Sequence, residues 1–294
     1  MTKHTPVLIR EVIKTLAPQK NDNFIDGTLG FGGHAKLILE KIGPHGKLLG
    51  IDQDIEALEA AKKNLETFGE RFSFYHGNFL DLGLIRRKWN VEEINGILLD
   101  LGVSTYQLST PKRGFSFNLK SLLDMRMDPT RQKITAADIV NNYSEKDLSK
   151  ILFELGEERF AKKITAKIVL SRKREPIKTT DKLVEIIKQA MPPEYRYSRE
   201  HHFATSTFRA LRMAVNNELE NLKRVLPQAV QILSPGGRIA VISFHSLEDR
   251  IVKNFFHDSL DLEILTKKPI VASQKEIAIN PKARSAKLRV AKKL

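Results

Sequence analysis

The sequence predicts a doubly wound α/β sheet interrupted by a mostly helical insertion. Short apolar runs alternate with helical patterns through the N-terminal third, which implies βαβ units and a parallel sheet. A glycine-rich turn follows the first strand-like run and opens a helix. Further on the strand pattern stops, gives way to helices, and resumes near the C-terminus.

In chain order, Val7, Leu8, Val12 and Leu16 have helical spacing. Strand-like runs follow at Phe24-Ile25, Lys47 to Ile51, Phe72 to Tyr75 and Ile97 to Leu99, separated by helical stretches such as Ile55 to Phe68. After Ser104 comes a loop-like segment with Pro111, Gly114 and Pro129, residues that punctuate regular structure. From Ala136 to Met191 the pattern is helical only. Gly237 to Phe244 restores a strand, and Leu262 to Thr266 and Ala286 to Val290 add two more that a closing hairpin would pair. The expected division is a discontinuous α/β domain, 1–105 with 206–294, and an inserted, mainly helical domain at 106–205.

Composition narrows the function. A chain of 294 residues with 41% hydrophobic content builds a sizeable core. It has no apolar run of about eighteen residues, so no membrane span is expected. Met1-Thr2-Lys3-His4-Thr5-Pro6 lacks the apolar core of a signal peptide, so a cytoplasmic location is expected. The absence of cysteine excludes disulfides, thiolate metal sites and a thiolate nucleophile, and no metal is expected. The net charge of +14 suits a polyanionic partner such as nucleic acid; a merely solvated basic surface is the alternative.

Asp26-Gly27-Thr28-Leu29-Gly30-Phe31-Gly32-Gly33-His34 is the cofactor candidate. Its glycines let the backbone turn and a ligand approach, and the helix start offers free N–H groups. Open α/β sheets bind nucleotide-like cofactors at this edge. Gly30-x-Gly32-x-x-Ala35 also fits a dinucleotide fingerprint, with Asp52 about twenty residues on. Asp52 therefore predicts a ribose without choosing the cofactor. Asp26 ends the first strand as in the methyltransferase version of this loop, Asp100 ends the fourth, and the last two strands could form the hairpin that ends a methyltransferase sheet; a nicotinamide oxidoreductase explains none of these.

Pro6-Val7-Leu8, Asp26 to Gly30, Gly32-Gly33-His34, Gly50 to Asp54 and Gly96 to Ser104 follow one another. After them come Arg113 to Phe117, Leu123 to Met127, Gly156 to Arg159, Ile242 to Arg250 and Asn280 to Ala286. Together these stretches closely resemble the bacterial 16S ribosomal RNA cytosine-N4 methyltransferase family, over nearly the whole chain. The resemblance implies a Rossmann-like class I methyltransferase sheet with a helical substrate-recognition insertion, and S-adenosylmethionine as cofactor. By motif position, Gly32, Gly33 and His34 contact the cofactor, Asp52 holds its ribose, Phe79 lines the adenine side, and Asp100 and Gln107 complete the pocket. The implied partner is 16S rRNA, within the small ribosomal subunit, methylated at a cytidine of the decoding region; monomer and homodimer both stay open. Phe31, Phe203 and Arg209 depart from the family's usual residues.

The chemistry follows from the residues. Carbon-five methylation of cytosine normally needs a cysteine, which this chain lacks. An exocyclic amino group needs orientation, proximity and later loss of a proton. Asp100 is the candidate acceptor of that group's N–H, with a purely cofactor-holding role as the alternative. His245 is a candidate contact to the flipped base or a phosphate, against a structural histidine. Arg113, Phe115 and Phe117 combine a cation with stacking rings, as single-stranded RNA sites do, or pack a loop. Arg172, Lys173 and Arg174 belong to one basic cluster expected to bind RNA phosphates. Lys282 to Lys293 forms another, alternating basic and apolar residues as an edge strand would. A non-enzymatic ribosome-assembly factor is the remaining competitor.

Overall fold

Residues 6–196 and 202–294 are described by the computed structural model. The segment read as lacking a signal core, 1–5, lies outside them. The chain forms two units, Met1–Gly102 with Leu219–Leu294, and Val103–Glu218.

The first unit holds an eight-stranded sheet: β1 (Phe24–Asp26), β2 (Leu48–Asp52), β3 (Phe72–His76), β4 (Gly96–Asp100), β5 (Arg238–Ser243), β6 (Leu262–Ile264), β7 (Ile270–Val271) and β8 (Lys287–Lys293). The order is β3-β2-β1-β4-β5-β8-β6, with β7 also on β8. Strands β1 to β5 run parallel, and β8 is antiparallel to both β5 and β6. Alternate strand residues face opposite layers, as the pleat requires. Phe24, Leu48, Leu98 and Ala240 pack with residues of the helices Ile9–Leu16, Gly33–Lys41 and Ile55–Leu65. Ile25, Leu49, Leu99 and Val241 pack with residues of the helices Leu82–Lys88, Glu218–Ile232 and Ser246–Asp258. Buried on both faces, these parallel strands read as continuous apolar runs. The C-terminal ends of β1, β2 and β4 carry Asp26, Asp52 and Asp100, where such sheets place a ligand.

The second unit packs the helices Ala136–Asn142, Glu145–Glu154, Ala161–Arg172, Thr180–Ala190 and Thr205–Asn216 around Leu148, Ile164, Leu183 and Leu211. Helix Thr205–Asn216 contacts Glu145–Glu154 and Ala136–Asn142, so the compact helical unit reaches Glu218, beyond the 205 expected from the strand pattern. Asn217 ends this helix in the left-handed conformation that asparagine tolerates.

Two features of the C-terminal region differ from expectation. β8 is an inner strand, paired on both sides, and not an edge. Its cations are matched within the fold: Asp249 takes Arg289 at 2.6 Å and Lys287 at 3.5 Å, and Glu263 takes Lys292 at 2.5 Å. β7 spans two residues, too short for any periodicity to announce it. Among the described residues, no helix is long and apolar enough to cross a membrane.

Candidate functional site

The glycine loop is built by the strand ends beside it. The Leu29 N–H donates to the Ile51 carbonyl and the Gly27 N–H to the Leu98 carbonyl, both at 2.9 Å. Gly32 caps the helix Gly33–Lys41 at φ 78°, and a Cβ there would meet Leu65 Cδ1 at 2.8 Å. A Cβ on Gly33 would meet Pro6 Cγ. Gly30, at φ 52°, has among the described residues only the Thr28 carbonyl near its missing Cβ, at 3.9 Å, which leaves room for an approaching molecule.

Acids gather around this loop. Asp52 accepts from the Gly30 N–H at 2.7 Å on one oxygen and the Asp54 N–H at 2.9 Å on the other, and the Gln53 N–H also bonds to the carboxylate. A carboxylate has about four lone-pair sites, so acceptor capacity remains for outside donors. Thr28 Oγ1 accepts from the Asp100 N–H at 2.6 Å and lies 3.5 Å from Asp26 Oδ1, joining the ends of β4 and β1. Burial, opposed by the Thr28 N–H and reinforced by Asp52, pushes Asp26 up to about 7. Burial, opposed by the Asp54 and Gly30 N–H groups, pushes Asp52 up to about 6. Burial, reinforced by the charges of Asp26 and Glu248, pushes Asp100 up to about 8. The Asp100 side chain keeps 23% of its surface open, yet its Oδ1 is buried without a hydrogen-bond partner among the described residues. Such an acceptor costs about 1–3 kcal/mol unless a donor meets it. A crowded acid cluster of this kind takes up either protons or a cation.

His34 lies within this cluster, buried to 5% exposure. Its Nε2 is 3.0 Å from the Val7 carbonyl and its Nδ1 is 3.7 Å from Asp100 Oδ2. Phe79 opens the turn after β3, and its Cβ lies 3.6 Å from the position a Gly27 Cβ would take. Asn78 Nδ2 donates to Gln53 Oε1 at 3.1 Å, tying that turn to the end of β2. His245 caps the helix Ser246–Asp258: its Nδ1 accepts from the Glu248 N–H, and Glu248 Oε2 accepts from the Phe244 N–H at 2.8 Å. His245 Nε2 lies 3.0 Å from Glu248 Oε1 yet makes no hydrogen bond among the described residues. The ring is thus engaged in shaping the loop that carries Glu248.

Gly32, Gly33, His34, Asp52, Phe79 and Asp100 accordingly meet at one sheet edge. Gln107, in the helical unit, forms a capping box in which its Oε1 accepts from the Ser104 N–H at 3.1 Å. Arg113 and Phe115 are buried, at 8% and 6% exposure, which corrects the reading of them as an RNA-facing surface. The Arg113 Nη2 donates to the Met127 carbonyl at 3.0 Å, and its guanidinium lies over the Phe115 ring. Gly114 has no room for a Cβ between Leu122 and Asp124, so the two motifs fold as one packed loop. Phe117 stacks on His202 at 4.4 Å. Arg172 donates to the Val140 carbonyl at 2.8 Å, whereas Lys173 and Arg174 are exposed. Arg209, one of the departures, donates to the Gly156 carbonyl at 2.5 Å.

Sequence patterns alone did not single out Thr28 or Val7 as parts of this cluster, and marked Glu248 only as a charged neighbour shaping the loop of His245. Their signal lies in neighbours: Thr28 follows Asp26 by two positions, Val7 sits in the Pro6-Val7-Leu8 stretch, and Glu248 stands three residues after His245, as in a capping box.

A family model described as the MraW methylase family matches residues 1–294. Three similar relatives bear the name ribosomal RNA small subunit methyltransferase H. That of Kosmotoga olearia is 48% identical over 294 residues, covering 99% of this chain and 97% of that protein. That of Trichormus variabilis is 49% identical over 290 residues, covering 99% and 92%. That of Thermosipho melanesiensis is 49% identical over 292 residues, covering 99% and 98%.

Proposed function

The chain belongs to the MraW methylase family, and from that membership we propose that it methylates 16S rRNA, at the exocyclic N4 amino group of a cytidine in the decoding region. The methyl donor is S-adenosylmethionine, which when bound supplies an electrophilic methyl on a cationic sulfur. The observation that carries this reading is the buried Asp100 Oδ1, without a hydrogen-bond partner among the described residues, beside the glycine turn. The acid cluster fits a cofactor bearing positive charge, and Asp52 retains acceptors for a ribose diol.

The residues divide the work. Gly30, Gly32 and Gly33 shape the turn, Asp52 holds the ribose, and Phe79 flanks the base of the cofactor. The family resemblance also assigns Gln107 to the cofactor. Asp100 accepts an N–H of the target amino group, which orients its lone pair and favours nitrogen nucleophilicity. His245 caps the helix that carries Glu248 and so fixes that acid beside the site. The helical unit recognises RNA around the target, which must leave its stack to be reached. Incubating small subunits from cells lacking this protein with the protein and labelled cofactor, followed by nucleoside mass spectrometry, tests the reading. N4-methylcytidine is the expected product, and a methyl on any other position or none overturns it.

The raised acids set a stability dependence. Asp26, Asp52 and Asp100 all bind protons more tightly folded than at the ordinary value of 3.8. Their contribution is therefore complete below that value and is lost as pH rises through about 6, 7 and 8. The ligand-free melting midpoint is expected to fall across that range, and less steeply at its upper end in Asp100→Asn. A midpoint that rises with pH there contradicts the protonated acids.

Exposed cations of the helical unit are expected to hold phosphates. Changing Lys162, Lys163, Lys173 and Arg174 to Ala leaves Arg172 and its structural bond in place. The salt dependence of RNA binding should become shallower by about 0.7 for each single-strand phosphate that the variant no longer neutralises. An unchanged slope in a filter-binding titration removes this face from the RNA path.

A further inference from the structure

We propose that His34 is the proton acceptor behind Asp100, so that the two side chains together receive the proton released when the target amino group is methylated; this rests on the methyltransferase reading above. His34 stands in the glycine motif, where its expected task is to touch the cofactor. Its surroundings assign it a different one.

The Val7 carbonyl carries only lone pairs, so the His34 Nε2 at 3.0 Å must be the donor. That fixes the tautomer: in the neutral ring the lone pair sits on Nδ1, which faces Asp100 Oδ2 at 3.7 Å. Two acceptors facing each other stay beyond hydrogen-bond distance. One proton between them turns the contact attractive, whichever side holds it. The pair thus accommodates a single proton. Asp100 presents its two oxygens to different neighbours: Oδ2 toward His34, and Oδ1 buried with no partner among the described residues.

A carboxylate at Asp100 is favoured only where a cation stands beside it, and His34 is the group placed to become that cation. Asp26 from β1 and Glu248 from the helix Ser246–Asp258 both raise the cost of a charged Asp100. Asp52 at the end of β2 acts on Asp26 in the same sense. An imidazolium among these carboxylates is stabilised, and its Nε2–H keeps its bond to Val7. Methylation leaves a cationic nitrogen. Its N–H bond breaks with the electron pair staying on nitrogen and an O–H bond forms on Asp100; rotation of the carboxyl brings that proton to the His34 side, where the O–H bond breaks and an N–H bond forms at His34 Nδ1. The end state is an Asp100 carboxylate beside a His34 imidazolium, ready to return the proton to solvent through the 23% of Asp100 that remains open. In this scheme Asp100 touches the reacting group, and His34 is a positioning and relay residue.

Nitrogen-15 NMR of histidine-labelled protein and single-turnover kinetics test the two halves separately. The expected spectrum shows His34 protonated at Nε2 throughout, with Nδ1 titrating and moving by at least half a pH unit in Asp100→Asn. A ring protonated at Nδ1 with a bare Nε2, or a titration indifferent to Asp100→Asn, overturns the pair. In kinetics, His34→Gln is expected to lower the methylation rate at least tenfold, to alter its pH profile, and to change the Kd for S-adenosylmethionine less than threefold. A wild-type rate and pH profile in that variant overturns the relay. Loss confined to cofactor affinity does so as well. If wild-type protein methylates no cytidine, the functional reading fails while the NMR result still decides the pair.

Discussion

Asp100→Asn is expected to lower kcat by about two orders of magnitude while leaving cofactor affinity nearly intact. Asparagine fills the same volume at the end of β4 and leaves the backbone N–H on Thr28 Oγ1 undisturbed. It still offers one oxygen acceptor. It carries no negative charge and takes up no proton, so it supports neither the charge that develops on the target nitrogen nor the proton that leaves it. In the ligand-free protein burial holds the Asp100 carboxyl up to about 8, and a bound cation would bring it down. The wild-type kcat/KM is therefore expected to rise with pH toward that value, and the rise should vanish in Asp100→Asn. Single-turnover kinetics with calorimetric cofactor binding gives the check. Equal losses in rate and affinity make Asp100 a binding residue and end its catalytic assignment.

Asp52→Ala is expected to weaken S-adenosylmethionine binding by about ten- to a hundredfold, the cost of losing charge-assisted hydrogen bonds worth roughly 1.5–3 kcal/mol. Part of that loss is indirect. The Asp52 carboxylate also pins the Gly30 and Asp54 N–H groups, so its removal loosens the turn and the start of the helix Ile55–Leu65. Asp52→Asn separates the two effects, because an amide oxygen still accepts one backbone bond. It should recover more of the melting midpoint than of the affinity. Calorimetry giving wild-type affinity for Asp52→Ala rejects the ribose assignment.

The relation between strand pattern and site explains how far the residues alone led. β1, β2, β4 and β5 were legible because a buried parallel strand is a short apolar run, and its end is marked by the first polar residue. Asp26, Asp52 and Asp100 are those residues, so the edge where the acids meet followed from local pattern. The glycine turn was legible for the same reason, since positive φ at Gly30 and Gly32 is a property of single residues.

Burial and long-range pairing were not legible. Arg113 has the look of an RNA contact until the Met127 carbonyl is found beside it, and a buried guanidinium is stable only because such acceptors close over it. Arg172, Lys287, Arg289 and Lys292 likewise have acceptors distant in the chain, which no local pattern announces. β8 reads as an edge strand because its lysines and arginines alternate with apolar residues; pairing Ser243 with Lys287 places it inside the sheet. The sequence by itself thus determined the parallel sheet, the glycine turn and the acids at its strand ends, all set by the conformational preferences and polarity of neighbouring residues. The tertiary structure alone decided which cations are engaged inside the fold, where β8 inserts and which nitrogen of His34 carries the proton, because each depends on an acceptor that only the folded chain brings within reach.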